Sequence, residues 1–185
     1  MPRLSRAWNK NYTNVRMACW NPWGFSNERF NYCLALNYDV LGLTELHNVQ
    51  NKKIWKCKRW ITSMDAPIDE QGKLQDSASG VGILLSKRFS ENVLAQGAIG
   101  SRIAWVRVKG PACILFIVCV YIPHKFRKAK PHASDTLLQL DKLLADCTKI
   151  QQGDCLIVMG DFNCEIQRNI QGVSGPWFMN KRADN

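Results

Sequence analysis

The chain has 185 residues, of which 46% are hydrophobic and 22% are charged, and this balance excludes an intrinsically disordered protein. Its longest apolar run, 112–122, is too short to cross a bilayer, and the amino terminus lacks the apolar core of a signal peptide. We therefore expect an intracellular protein, nuclear or cytoplasmic and not secreted. The net charge of +10 indicates a polyanionic partner, either nucleic acid or an anionic membrane surface.

The first half of the chain predicts strands and one helix. Strand 15–20 comes first and is followed by a helix that begins after a Ser26 cap and carries Phe30, Cys33, Leu34 and Asn37. Strands at 40–44, 80–85 and 103–108 follow. The last of these alternates with Arg107, which predicts one solvent-exposed face.

The second half predicts two continuous apolar strands, at 113–122 and 155–159, which are typical of strands covered on both faces. Between them, a Ser134 cap predicts a helix with an apolar stripe of Leu137, Leu140, Leu144 and Cys147, widened by Leu138 and Leu143. Strands alternate with helices but also follow one another directly, so we expect a mixed sheet or a pair of sheets flanked by helices. No linker or repeat interrupts 1–185, which we interpret as one domain.

Eight cysteines are present, yet no C-x-x-C pair occurs. Cys19, Cys113, Cys119 and Cys155 lie in apolar, strand-like runs, where thiols usually behave as small buried hydrophobes. We therefore expect reduced cysteines and no zinc site.

Two basic clusters carry much of the positive charge. The first places Trp55 among its cations, and a combination of aromatic rings and cations suits stacking on bases beside phosphate contacts. The candidate nucleic-acid-binding residues are Lys52, Lys53, Lys56, Lys58 and Arg59 in the first cluster and Lys125, Arg127, Lys128 and Lys130 in the second. Either cluster by itself is equally compatible with an ordinary solvated face.

Polar residues follow several of the predicted strands. They are Asn21, Glu45, Tyr121, Asp161 and Asn163. If the strand ends meet at one edge, two carboxylates, two amides and a phenol gather there, a set that suits a hard divalent cation. Each residue alone also has a structural interpretation, as a turn former, an exposed acid or a core aromatic.

Five segments resemble the endonuclease/exonuclease/phosphatase family in order and approximate spacing: MACWNPWG, DVLGLTELH, SGVGILLSKRF, IVCVYIPH and LIVMGDFN. They span residue 17 to about residue 176, when the GVSGP after GDFN is included. GVGILLSKRF, GSRIAWVRVKG and GVSGP are most similar to the endonuclease domains of LINE-type retrotransposons.

The resemblance implies a four-layer α/β sandwich of the deoxyribonuclease I-like type and phosphodiester cleavage that depends on Mg²⁺ or Mn²⁺. It implies that Glu45 is the metal ligand, Asn21 supports metal and phosphate, Tyr121 contacts the phosphate, Asp161 orients the attacking water, and Asn163 donates a hydrogen bond to the phosphate. It also implies DNA and not a membrane as the partner, with a reverse transcriptase domain linked in a longer polyprotein.

The chain departs from the family in its histidines. The family ends on a Ser-Asp-His-type signature, whereas His47, His124 and His132 all precede the GDFN segment. We therefore expect a domain that is incomplete at its carboxyl-terminal end and weak or inactive as a fragment. Two alternatives are a catalytically dead nucleic-acid-binding module and a lipid or inositol-phosphate phosphoesterase of the same fold.

Overall fold

A computed structural model describes residues 14–47, 60–63, 80–124, 133–146 and 148–164. Within these ranges the chain forms eight strands and three helices. In order they are β1 (Met17–Trp20), α1 (Asn27–Ala35), β2 (Val40–Leu43), β3 (Trp60–Ser63), β4 (Val81–Leu85), α2 (Lys87–Ser90), β5 (Val93–Ile99), β6 (Ile103–Lys109), β7 (Ile114–Tyr121), α3 (Ala133–Leu144) and β8 (Cys155–Asp161). No helix in this part of the chain is long and apolar enough to span a bilayer.

The strands form two mixed sheets, ordered β1-β2-β4-β3 and β5-β6-β7-β8. In each sheet one parallel pair, β1 with β2 or β7 with β8, is extended by antiparallel strands. Parallel neighbours end at the same edge, so each sheet presents two carboxyl ends there. Among the described strands, β1 and β8 are edge strands, and the opening between them becomes the site discussed below.

Alternating side chains build the core. Residues such as Val81, Ile83, Ala104 and Ile117 fill the space between the two sheets. On the outer faces, α1 packs Cys33 against one sheet, and α3 packs Leu140 and Leu143 against the other. The predicted four-layer α/β sandwich is therefore confirmed.

The two helices predicted from the sequence differ in how well they agree with the structure. The Ser26 cap is confirmed, because the Ser26 hydroxyl accepts a hydrogen bond from the Arg29 backbone N–H at 3.3 Å. The Ser134 cap is wrong, because α3 begins at Ala133 and Ser134 lies in its first turn. The predicted stripe is also partly wrong, since Leu137 and Leu138 are exposed while Leu140 and Leu143 are buried. Cys147 lies outside the described residues.

Three elements escaped the sequence analysis: β3, β5 and the short helix α2. The predicted solvent-exposed face of β6 is wrong, because Ile103 and Trp105 are buried beneath α3. β7 is covered on both faces as expected, whereas β8 is half-exposed because it lies at the edge. An apolar run therefore indicated a strand in both cases but not its degree of burial.

Arg107, on the outer face of β6, makes a nearly enclosed ion pair instead of facing solvent. Its guanidinium donates to both carboxylate oxygens of Asp154, at 2.7 and 2.9 Å, and to Gln151 Oε1 at 2.9 Å. The Asp154 side chain is only 2% exposed. These hydrogen bonds hold the turn before β8 against β6 and keep the pKa of the Asp154 carboxyl below its usual range.

We expect Arg107→Met to lower the free energy of unfolding by about 3 kcal/mol, because it leaves a buried carboxylate without its cation. Lys149→Met, which removes an exposed ion pair to Asp146, should cost far less, because solvent screens that pair. Denaturant titration of both variants measures the difference. Equal losses in the two variants would contradict this assignment.

The same ion pair predicts a pH dependence. A carboxyl whose pKa is lower in the folded than in the unfolded chain stabilises the fold above the unfolded value, which is about 3.9 for aspartate. That contribution disappears as the pH falls through the lowered folded-state pKa. Arg107→Met should therefore lose less stability than the parent over this acidic range.

Candidate active site

A cleft of about 550 Å³ opens between the edge strands β1 and β8. It is lined by Cys19, Trp20, Asn21, Thr44, Gly160, Asp161, Phe162, Asn163 and Cys164. These residues come from the carboxyl ends of β1, β2 and β8 and the loops that follow. The cleft therefore lies where two α/β sheets present their strand ends together.

Hydrogen bonds run around this end of the sandwich, which we call the rim. The backbone bonds are Thr44 N–H to Trp20 O, Leu46 N–H to Gly80 O, Gly80 N–H to Ser101 O, Tyr121 N–H to Arg102 O and Ile122 N–H to Asp161 O. A side-chain bond from Asn21 to Asp161 joins the last strand to the first. The rim is thus a closed ring that links both sheets.

Asp161 is held from two directions. Its Oδ2 accepts a hydrogen bond from Asn21 Nδ2 at 3.3 Å, and its Oδ1 accepts one from the Asn163 backbone N–H at 3.1 Å. Asn21 is oriented in turn, because its Oδ1 accepts from the Trp23 N–H at 3.0 Å. Asn163 Nδ2 donates to Ile122 O at 3.0 Å. The structure therefore brings Asn21, Asp161 and Asn163 together in the cleft.

Glu45 lies next to the cleft-lining Thr44 but does not line the cleft itself. It is 9% exposed, and its Oε2 lies 3.5 Å from His47 Nε2. The backbone at Glu45 has φ +50° and that at Asn163 has φ +44°, both in the left-handed region that non-glycine residues rarely occupy. Strained backbone of this kind concentrates at functional sites.

Tyr121 ends β7 with its side chain in the core between the sheets, 2% exposed. The Arg102 guanidinium, also completely buried, lies 5.3 Å from the centroid of the Tyr121 ring. Tyr121 does not line the cleft. The phenol therefore lies at the rim but below the cleft surface, beside a buried cation.

The rim residues suit a hard divalent cation. Asp161, Asn21 and Glu45 offer oxygen atoms, and Mg²⁺ prefers oxygen ligands and keeps several waters. Among the described residues the Glu45 carboxylate lies beside His47, which is positive only when protonated, and a nearly buried carboxylate favours a permanently charged cation. No cluster of three or more His, Cys, Asp or Glu side chains that could hold a metal occurs among the described residues, so an ion here would depend on amide oxygens, water and phosphate as well.

Several predicted site residues lie outside the described ranges: Lys52, Lys53, Lys56, Lys58, Arg59, Lys125, Arg127, Lys128 and Lys130. His132 lies outside them as well. His124 is exposed just after β7.

His47, Thr44 and Cys19 were not predicted as site residues. The His47 ring contacts Trp23 edge to face, with centroids 5.9 Å apart, and Thr44 Oγ1 is buried without a hydrogen-bond partner among the described residues. The one signal for His47 was its place two residues after Glu45. Nothing in the local sequence marks Thr44 or Cys19 as cleft residues.

The expectation that the strand cysteines are buried holds only for Cys119. Cys19, Cys113 and Cys155 are exposed, and all are free thiols. A hydrogen bond from Cys119 lowers the pKa of the Cys19 thiol, whereas the same contact and complete burial raise the pKa of Cys119. Edge position explains the exposure of Cys19 and Cys155, because β1 and β8 have a neighbouring strand on one side only, whereas Cys113 is exposed because it lies in the bend before β7.

Comparison with protein families gives one match, to the model of the Endonuclease/Exonuclease/phosphatase family, over residues 14–180. No curated protein matches the chain.

Solved structures match the fold. A humanized D. rerio TDP2 is 16% identical with a TM-score of 0.51, over 82% of this chain and 63% of that one. D. rerio TDP2 complexed with a single strand DNA product is 19% identical with a TM-score of 0.51, over 82% and 62%. Sphingomyelinase C from Streptomyces griseocarneus is 16% identical with a TM-score of 0.52, over 81% and 64%. The chain thus spans less than two thirds of each of these structures, and identities this low show the fold alone.

Proposed function

Because the chain belongs to the endonuclease/exonuclease/phosphatase family, we propose that it hydrolyses phosphodiester bonds in DNA. Members of this family are hydrolytic phosphodiesterases and nucleases, and they generally use divalent metal ions. The proposal is more specific than the family: an endonuclease of the LINE-type retrotransposon kind, with Mg²⁺ or Mn²⁺ as the ion. Linkage to a reverse transcriptase domain and an intracellular, nuclear or cytoplasmic location remain part of the proposal.

The observation that carries this proposal is the hydrogen bond between Asn21 and Asp161 across the two sheets, inside the cleft. It joins residues that are 140 positions apart in the sequence. A carboxylate fixed on both oxygens can orient a water molecule, since its free lone pairs point in set directions. Such orientation is the main requirement of phosphoryl chemistry, which needs little covalent participation by the protein.

We assign the roles as follows. Asp161 accepts a proton from the attacking water and directs it at phosphorus, while Asn21 and the Asn163 backbone keep its carboxylate in place. The Asn163 side chain has a second N–H beyond the one given to Ile122 O, and this can reach a phosphate oxygen. The resemblance alone assigns Tyr121 to the phosphate, since its phenol lies below the cleft surface beside buried Arg102. A divalent ion held by Glu45 and Asn21 would neutralise charge on the phosphate.

DNA is favoured as substrate by charge and by aromatic surface near the cleft. The net charge is +10, and Trp23, two residues beyond Asn21, is 74% exposed. Phe162 lines the cleft itself. Exposed aromatic rings beside cations suit stacked bases and backbone phosphates. D. rerio TDP2, which shares the fold, has been solved with a single strand DNA product.

We expect Trp23→Ala to weaken binding of single-stranded DNA about tenfold, because one stacked base contributes about 1–3 kcal/mol. Tyr38→Ala is the matched control, since Tyr38 is an exposed aromatic residue that precedes β2, at the edge opposite the rim. Fluorescence anisotropy with a labelled oligonucleotide measures both affinities. If the two substitutions changed the affinity equally, Trp23 would not be part of the DNA-binding surface.

The test of function is nicking of supercoiled plasmid by the purified chain with Mg²⁺, with and without EDTA. The proposal expects relaxed plasmid that EDTA prevents and that Glu45→Ala lacks, at no more than the weak rate predicted for residues 1–185 alone. Hydrolysis of sphingomyelin or phosphoinositide vesicles without nicking would instead favour the lipid phosphoesterase. DNA binding without hydrolysis of either substrate would favour the catalytically dead module.

A further inference from the structure

Three sulfur-containing side chains lie close together between the two sheets, and one of them, Cys19, also lines the cleft. Cys19 and Gly42 are register partners in β1 and β2, and Cys119 and Met159 are register partners in β7 and β8. Register partners in a sheet point to the same face. Cys19 and Gly42 therefore face the second sheet, while Cys119 and Met159 face the first.

Gly42 leaves the space in which these sulfur atoms approach one another. A Cβ atom at Gly42 would lie 2.7 Å from Met159 Sδ and 3.1 Å from Cys119 Sγ, so both sulfurs reach into the volume that a side chain would fill. Cys19 lies beside Gly42 on the same face of the sheet, and the neighbouring Cys119 thiol lowers the pKa of the Cys19 thiol. Cys119 Sγ donates to Leu43 O at 3.5 Å. Two thiols and one thioether therefore share a small volume.

Cys19 connects this volume to solvent. It is exposed and lines the cleft, whereas Cys119 is completely buried and Met159 is half-buried. An ion that enters the cleft can therefore reach Cys19 first and the two other sulfurs behind it.

We propose that Cys19, Cys119 and Met159 form a binding site for a soft metal ion, and that Cu(I) suits it best. Thiolate and thioether ligands select soft ions such as Cu(I), whereas Mg²⁺ takes oxygen ligands. The unbranched thioether of Met159 can adjust its position to a metal. The site shares no ligand with the rim, so it does not depend on the function proposed above.

A second thiol pair provides an internal control. Cys113 and Cys155 are also close enough for Cys155 to raise the pKa of the Cys113 thiol, but both are exposed and lie near the opposite ends of β7 and β8. The double variant Cys113→Ser/Cys155→Ser removes this pair and leaves the three sulfurs between the sheets intact. Cys33, on the buried face of α1, supplies a single-thiol control.

The experiment measures Cu(I) affinity of the reduced chain, without oxygen, by competition with a chromophoric Cu(I) chelator. We expect one Cu(I) per chain, with affinity unchanged by Cys113→Ser/Cys155→Ser and by Cys33→Ser. In the Cys113→Ser/Cys155→Ser background, Cys19→Ser should weaken binding about a hundredfold or more, because even outer partners of metal ligands are worth about 10–100-fold. Met159→Leu should weaken it about tenfold.

Three outcomes would overturn the proposal: no stoichiometric Cu(I) binding by the parent chain, binding that disappears with Cys113→Ser/Cys155→Ser, or binding that survives both Cys19→Ser and Met159→Leu unchanged. Loss of Cu(I) binding should not result from misfolding of the variants. Cys19 is exposed, and leucine closely matches methionine in volume. Circular dichroism confirms the fold of each variant. As a second measure, bound Cu(I) should protect Cys19 from alkylation by iodoacetamide and leave Cys113 reactive.

Discussion

In a chain extended to the full length of the family domain, Asp161→Asn is expected to slow plasmid cleavage about a hundredfold or more while DNA affinity stays within about twofold of the parent value. The substitution preserves shape, and the amide oxygen can still accept one of the two hydrogen bonds from Asn21 and Asn163. It removes the negative charge that polarises the attacking water. Single-turnover nicking with enzyme in excess measures the rate, and anisotropy measures the affinity.

The control for Asp161→Asn is Asp154→Asn, which also neutralises an aspartate associated with β8 but acts at the Arg107 pair, at the strand's other end. This control should lose stability and keep most of its rate per folded molecule. If Asp161→Asn cut DNA as fast as the parent chain, another residue would have to activate the water.

Gly160→Ala should be among the most destabilising single substitutions in the chain, at about 4 kcal/mol or more. A Cβ atom there would lie 1.8 Å from the Val120 carbonyl oxygen, which belongs to the backbone of the neighbouring strand and cannot move aside alone. Gly160 also has φ +153°, a conformation that alanine rarely adopts. β8 would have to separate from β7, carrying Asp161 out of the cleft.

Gly153→Ala is the matched control for Gly160→Ala. Gly153 also has positive φ, at +90°, yet nothing lies within 4 Å of the position its Cβ would take. It should cost only about 1–2 kcal/mol, the intrinsic penalty for a left-handed backbone. Urea denaturation of both variants separates steric clash from backbone strain, and similar losses would show that the clash is relieved by local movement.

The strands that could be predicted from the sequence are those whose local composition favours a strand. β7 is a continuous apolar run and was found, whereas β5 contains Ala95, Gln96, Gly97 and Ala98, which have little tendency to form strands. Pairing with β6 stabilises β5 instead, and the ring of Trp105 covers Gly97. β6 looked half-exposed because Arg107 interrupts it, and only the tertiary ion pair to Asp154 explains that residue.

The candidate site could be predicted in part for a similar reason. Asn21 follows β1, Asp161 ends β8 and Asn163 comes two residues later, so the sequence places all three at strand ends. β1 and β8 belong to different sheets, however, and the packing of the two sheets, which no local pattern reveals, is what brings these ends together. Glu45 differs, because the left-handed backbone at this residue turns the chain toward His47, and no local pattern reveals that turn. Which strands lie at sheet edges is likewise a property of the whole fold, so the exposure of Cys19 could not be read from its apolar surroundings.

The hydrogen-bonded ring at the rim has a consequence for the motions of the protein. Neither sheet can slide past the other without breaking the bond from Gly80 to Ser101 or the bond from Asn21 to Asp161. The amide protons of Leu46, Gly80, Tyr121 and Ile122 should therefore exchange with deuterium only through opening of the whole sandwich, and all at nearly the same slow rate. A substrate then meets an arrangement that persists between turnovers, and its arrival rate should depend on diffusion and charge more than on any rearrangement of the rim.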